Sequence, residues 1–117
     1  MQVDKGQLRV LVQVGFMAAM RSRVADAEAI FAAIEGERPT SAAAYVGLAI
    51  AYLTVGRNVD ALQAVDRGLR VEGQNDLAEL HGFRGLVLQL AGRTSESVRA
   101  LKQAGAQPLA LAMLGEA

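Results

Sequence analysis

Apolar residues recur along this chain in blocks with the period of a helix, and the blocks come in pairs. Phe31 and Ile34 stand three apart, Val65 and Gly68 repeat that spacing, and Leu101 and Ala104 repeat it again. A separation of three places each pair on one face of a helix, the face expected to be buried. An apolar run precedes each of these helices: Val10 to Met20, Tyr45 to Leu53, and a stretch through Phe83, Leu86 and Leu90. The pattern predicts three helix-turn-helix units, then a short last helix from Leu109 to about Leu114 with Pro108 in its first turn.

The units share a register. Arg23-Val24-Ala25-Asp26-Ala27 aligns with Arg57-Asn58-Val59-Asp60-Ala61 at a spacing of 34, and with Arg93-Thr94-Ser95-Glu96-Ser97 after 36 more. A fixed period in this range marks an array of stacked units. The two extra residues fit the loop of Glu72, Gly73, Gln74, Asn75 and Asp76, whose turn-forming side chains absorb an insertion. The register divides a single domain, 1–117, into units at about 8–41, 42–77 and 78–107 and a C-terminal helix at about 108–115. Small residues recur at Gly15, Ala49 and Gly85 in the first helices and at Ala27, Ala61 and Ser97 in the second, where bulk would hold paired helices apart. Gly56 and Gly92 fit the turn inside units two and three, and Ser22 fills that place in unit one. Pro39 closes unit one, with Thr40 and Ser41 as candidate N-caps for a helix opening at Ala42.

Composition narrows the function. Twelve basic and twelve acidic residues cancel, so there is no overall field to hold a nucleic acid or an anionic membrane, and neither is an expected partner. The chain contains no cysteine, which excludes disulfides and thiolate metal sites and makes the cytoplasm the expected compartment. Lys5 and Arg9 ahead of Val10 to Met20 imitate an export signal, but Gln13 interrupts the run and the run falls into register with two later helices. His81 is the single histidine, so no cysteine–histidine nucleophile and no ordinary zinc site assembles within one chain. An enzyme is not expected, nor is any cofactor. Asp26, Asp60 and Glu96 recur at the start of each second helix, beside the positive helix end and close to Arg23, Arg57 and Arg93, which reads as structural charge.

These residues resemble the tetratricopeptide repeat. Unit two carries the pattern best, with Tyr45, Leu48, Ala49, Tyr52, Gly56, Ala61, Val65 and Gly68. Unit one matches at Gly15, Ala27, Phe31 and Pro39, and unit three keeps Gly85, Gly92 and Leu101 while placing Arg84 where a leucine is expected. The resemblance implies an all-α, right-handed α-solenoid of three such units with a short C-terminal capping helix. A lone three-unit chain with short loops and an alanine-rich, apolar first-helix surface is also similar to the small tetratricopeptide chaperones of bacterial type III secretion systems, which hold an aggregation-prone secretion subunit in the cytoplasm.

In such a solenoid the first helix of each unit lines the concave side. The register offers Arg9, Val12, Phe16 and Met20 from unit one, Ala43, Val46, Ile50 and Leu53 from unit two, and Glu79, Phe83, Leu86 and Leu90 from unit three; nine of these are large and apolar. The expected partner-binding groove is therefore Val12, Phe16, Met20, Val46, Ile50, Leu53, Phe83, Leu86 and Leu90. Family members that clamp a terminal carboxylate use polar residues on this face, yet Val12, Phe16 and Gly47 stand at those places here. An apolar groove suits an apolar, helical segment of a protein or peptide partner, each buried large side chain contributing roughly 1.5 to 3 kcal/mol before ordering costs. A chaperone or adaptor is the expected role. The alternative is a generic scaffold or self-associating repeat in which the same face and the tail make a homodimer.

Overall fold

The computed structural model describes residues 4–105 and 107–115. Seven helices and no strand form among them: α1 Lys5–Met20, α2 Val24–Glu37, α3 Ala43–Thr54, α4 Asn58–Leu69, α5 Leu77–Leu90, α6 Thr94–Gln103 and α7 Pro108–Leu114. More than half of the helical positions hold Ala, Leu or charged residues, most of which sacrifice little on entering a helix. The start of α1 is fixed by a capping box: Gln7 donates its N–H to Asp4 Oδ1 at 2.7 Å, and Asp4 donates its N–H to Gln7 Oε1 at 3.1 Å.

Short left-handed turns fold the helices into antiparallel pairs. Gly56 and Gly92 have φ of 76° and 77°, and Ser22 adopts the same conformation at 59°. A side chain there costs about 1–2 kcal/mol, whereas glycine loses roughly 0.5–1 kcal/mol more chain entropy than alanine. Ser22→Gly is therefore expected to stabilise the fold by about 0.5 kcal/mol, raising the midpoint of a thermal melt by about 2–4 °C; an unchanged or lower midpoint would contradict the strain argument. Directly after each turn Arg23 pairs with Asp26 at 2.7 Å, Arg57 with Asp60 at 2.7 Å and Arg93 with Glu96 at 2.6 Å, all at the surface. The recurring acids are structural charges, as their register implied.

The pairs α1/α2, α3/α4 and α5/α6 stack in order, with α3 packed against α1, α2 and α4. Close approach depends on the small residues. Ala19, Ala27, Ala49 and Ala61 are wholly buried. A Cβ on Gly15 would fall 2.8 Å from Phe31 Cζ, and one on Gly68 would fall 2.6 Å from Tyr45 Cγ. Ser97 is also buried and donates to the Gly85 carbonyl at 2.7 Å, so α6 bonds to α5 where both residues are small.

Contacts between units rest on residues far apart in sequence. Asn75 donates its N–H to the Thr40 carbonyl at 2.9 Å and its side-chain amide to Thr40 Oγ1 at 3.2 Å. Gln74 Nε2 donates to the Pro39 carbonyl at 3.4 Å, a carbonyl that also accepts from the nearby Tyr45 Oη at 2.8 Å, and within unit two Gln74 Nε2 donates to the Gly68 carbonyl at 3.0 Å. Helix α3 opens at Ala43, one residue later than expected, with Ala42 at its N-cap. Its first donors are met by Ser41 Oγ, which accepts from the Ala43 N–H at 3.2 Å, and by Asp76 Oδ2, which accepts from the Ala42 N–H at 2.8 Å. Thr40 instead serves the loop before α5. Arg84, the departure from the expected leucine, pairs with Asp66 of α4 at 2.8 Å.

Helix α7 packs on α5 and α6, burying Ala110 against Leu101 and Ala104 with Met113 and Leu114 at the edge. Gln107 caps it by accepting from the Ala110 N–H at 2.8 Å. That amide lies where a side chain on Gly82 would be, 2.5 Å from its Cβ position. The tail thus caps its own chain.

Candidate partner-binding groove

Five of the residues expected in the groove, Val12, Phe16, Ile50, Leu53 and Phe83, lie on α1, α3 and α5 and pack on the core. Phe16 and Ile50 bridge two core clusters, one around Phe31, Ile34 and Leu48 and one around Tyr45, Val65 and Leu80. Val12 packs on the first, and Leu53 and Phe83 pack on the second. The Phe16 ring meets Phe31 edge-on, with centroids 5.2 Å apart at 73°. All five remain half-buried rather than fully enclosed.

Val46 requires a correction: it is only 9% exposed and belongs to the second cluster itself. Because α3 is surrounded by its neighbours, its apolar arc is wider than that of α1 or α5, and Val46 falls inside it. Met20 is 68% exposed and Leu90 58% exposed, at the C-terminal ends of α1 and α5. Val12, Phe16 and Met20 line one open hollow of about 580 Å³ with Gln13, Met17 and Arg21. Leu86 is half-buried and belongs to none of the core clusters. Phe16, Ile50, Leu53 and Phe83 thus pack on one cluster, Val12 packs on the adjoining one, and Met20 stands beside Val12 and Phe16 in the hollow, while Leu86 and Leu90 pack on none of the core clusters. Gly47 offers no polar group, and a Cβ there would collide with the Phe31 ring.

A second hollow went unread in the sequence. It lies between the start of α1, the end of α2 and the start of α3, encloses about 380 Å³, and joins the groove at Val12. Leu8 and Ile34 share its floor, and Lys5, Arg9 and Arg38 line it as well. Arg9 alone was legible from the register; Lys5 and Arg38 come from a helix start and a loop that no periodicity places.

At the α5 end the charge is acidic. Burial, and then the neighbouring Asp76, push the Glu79 carboxyl above its ordinary value. His81 lies one turn before Arg84; its Nδ1 is buried without a hydrogen-bond partner, and burial followed by the Arg84 charge holds its pKa below the ordinary 6.5. The folded state thus binds this proton less readily than the unfolded chain. Stability is full above pH 6.5 and declines as pH falls through the unfolded value toward the folded one. Thermal melts across this range should show a decline in the wild type that His81→Gln lacks. Equal slopes in both would show that His81 is not responsible. Among the described residues no group of three or more His, Cys, Asp or Glu side chains is placed to hold a metal ion, and no helix is long and apolar enough to cross a membrane.

An array of helix hairpins with an apolar shared face defines a repeat solenoid, an architecture whose extended surface serves recognition. The chain belongs to the tetratricopeptide repeat family, whose model matches residues 18–86. No curated protein sequence matches it. Among solved structures it is similar to PcrH in complex with the chaperone binding region of PopB, at 20% identity and a TM-score of 0.73, with 98% of each chain covered. That likeness extends the fold beyond the matched repeats to α1 and α7 and agrees with the expected all-α solenoid.

Proposed function

We propose that this protein is a chaperone or adaptor that holds an apolar segment of a client protein across α1, α3 and α5. The observation that carries this reading is the set of half-buried Phe16, Ile50, Leu53 and Phe83 on one face, flanked by the exposed Met20 and Leu90. Apolar side chains gathered at a surface in this way mark an interaction site. The fold likeness to PcrH, solved with the chaperone binding region of PopB, supports a chaperone role; type III secretion as the setting rests on the resemblance drawn from the sequence, and the cytoplasm on the absence of cysteine. No part of this role requires catalysis or a cofactor.

Selection from a displayed random peptide library tests it. Recovered peptides should be rich in Leu, Ile, Val, Phe and Met, and should compete with one another for a single site. Recovery of polar sequences, or of apolar ones that a Met20→Glu variant binds unchanged, would overturn the assignment.

One observation favours self-association as a second reading. Val10, Val14 and Met17 form an exposed apolar stripe on α1, at the i, i+4, i+7 spacing of one helix face, with Val14 and Met17 beside a hollow against α2. If that stripe joins two copies, light scattering will give a dimer mass that Val14→Lys reduces to a monomer. A wild-type monomer at high concentration would eliminate it.

A further inference from the structure

The hollow at the start of α1 differs from the rest of the groove in charge. Its floor is Leu8, Val12, Ile34 and Ala43, its charged lining is Lys5, Arg9 and Arg38, and no carboxylate lines it. Arg23, Arg57, Arg67, Arg84 and Arg93 each pair with an acid. Lys5, Arg9 and Arg38 form no ion pair among the described residues, and the Arg38 guanidinium donates to the Glu37 carbonyl at 2.9 Å. The acids nearby in sequence are engaged elsewhere or lie outside the hollow: Asp4 caps α1, Glu35 pairs with Arg67, and Glu37 is not part of the lining. At the start of α5, on the same edge of the groove, the charges are Asp76 and the exposed Glu79.

The N-terminal edge of the first helices therefore runs from Lys5 and Arg9 of α1, with Arg38 at the end of α2, to Glu79 in the first turn of α5, beside Asp76, whose Oδ2 accepts from the Ala42 N–H. The chain as a whole is neutral, so this is a local separation of charge, and local potentials set the orientation of a bound ligand. Partial burial, and then the Asp76 charge, raise the pKa of Glu79. Two helix spacings of roughly 8–10 Å separate α1 from α5, a distance that about six extended residues cover.

Resting on the groove reading above, we propose that the hollow receives the acidic flank of the client: Asp or Glu side chains beside the apolar segment meet Lys5, Arg9 and Arg38, and the apolar core continues over Ile50 toward α5. The occupant is thus a charge-polarised segment of another protein, bound in one direction.

Fluorescent peptides with blocked termini and a common apolar centre of about six residues test this, carrying acidic, glutamine or lysine flanks at one end. Anisotropy titration at low salt should show the acidic flank binding about tenfold more tightly than the glutamine flank, with the advantage lost near 1 M salt, where charges are screened within about 3 Å. Arg9→Gln with Arg38→Gln should abolish the advantage while leaving the glutamine-flanked peptide unchanged. Arg70→Gln with Arg99→Gln, the same change in net charge elsewhere, should preserve it. Equal binding of acidic and glutamine flanks, tighter binding of lysine flanks, or an advantage that survives loss of Arg9 and Arg38 would overturn the polarity while leaving the groove standing. Failure of all three peptides to bind would overturn the groove reading together with it.

Discussion

Phe31→Ala is expected to destabilise the fold by about 3–5 kcal/mol, the range for emptying a buried aromatic site, and to lower the melting midpoint by on the order of 15 °C. Phe31 is wholly buried on α2. Its ring lies under two glycines, Gly15 of α1 and Gly47 of α3, and meets Phe16 edge-on. One side chain thus fills the junction of three helices, and two neighbouring positions have no side chain because its ring occupies their space. The reverse substitution sharpens the argument. Gly47→Ala alone drives a methyl into the ring and should cost about 1–3 kcal/mol through overpacking. In a Phe31→Ala background that methyl enters vacant space, and replacing glycine inside a helix should then stabilise by roughly 0.5–1 kcal/mol. The sign of the Gly47 substitution is expected to invert between the two backgrounds, a coupling that urea denaturation of the four chains measures directly. Additive effects would show that the ring and the glycine do not share this space.

Much of that junction was legible. The equivalence of Gly15, Ala49 and Gly85, the buried Ala27, Ala61 and Ser97, and the left-handed turns at Ser22, Gly56 and Gly92 all follow from residue size and chain conformation, which a repeated sequence displays several times over. The arginine–acid pairs after each turn were legible for the same reason. What stayed hidden depends on long-range partners. Nothing near Ala42 shows that Asp76, 34 positions away, accepts from its N–H, or that Thr40 binds Asn75. Arg84 looked like an imperfection in unit three until Asp66 of the preceding unit stood beside it. Val46 was misplaced because periodicity fixes a face only to part of a turn, and on α3 that part is enclosed. The Asp4-x-x-Gln7 box, by contrast, carried a local signal that was there to be read.

Ile50→Glu is expected to weaken binding of an apolar client peptide by at least about a hundredfold, because it removes an aliphatic contact worth roughly 1.5–3 kcal/mol and sets an uncompensated carboxylate against an apolar ligand. Ile50 suits this test because it packs on both core clusters while remaining half-buried, at the centre of the proposed groove. The same position raises the danger of partial unfolding, so the edge residues provide the discriminating comparison. Met20 and Leu90 are largely exposed, and Met20→Glu and Leu90→Glu should leave the melt unchanged while each weakening the peptide by about tenfold, as loss of a peripheral apolar contact would. Val59→Glu supplies the control: Val59 is an exposed apolar residue near the start of α4, away from the shared face, and its substitution should change neither stability nor affinity. Calorimetry with a selected peptide separates the outcomes, since burial of apolar area adds a negative heat-capacity change that the edge variants should reduce. If Val59→Glu weakens the peptide as much as Met20→Glu, the bound face is not the one formed by α1, α3 and α5. If Ile50→Glu binds normally while retaining its native melt, the centre of that face makes no contact with the client, and the groove cannot be the site of capture.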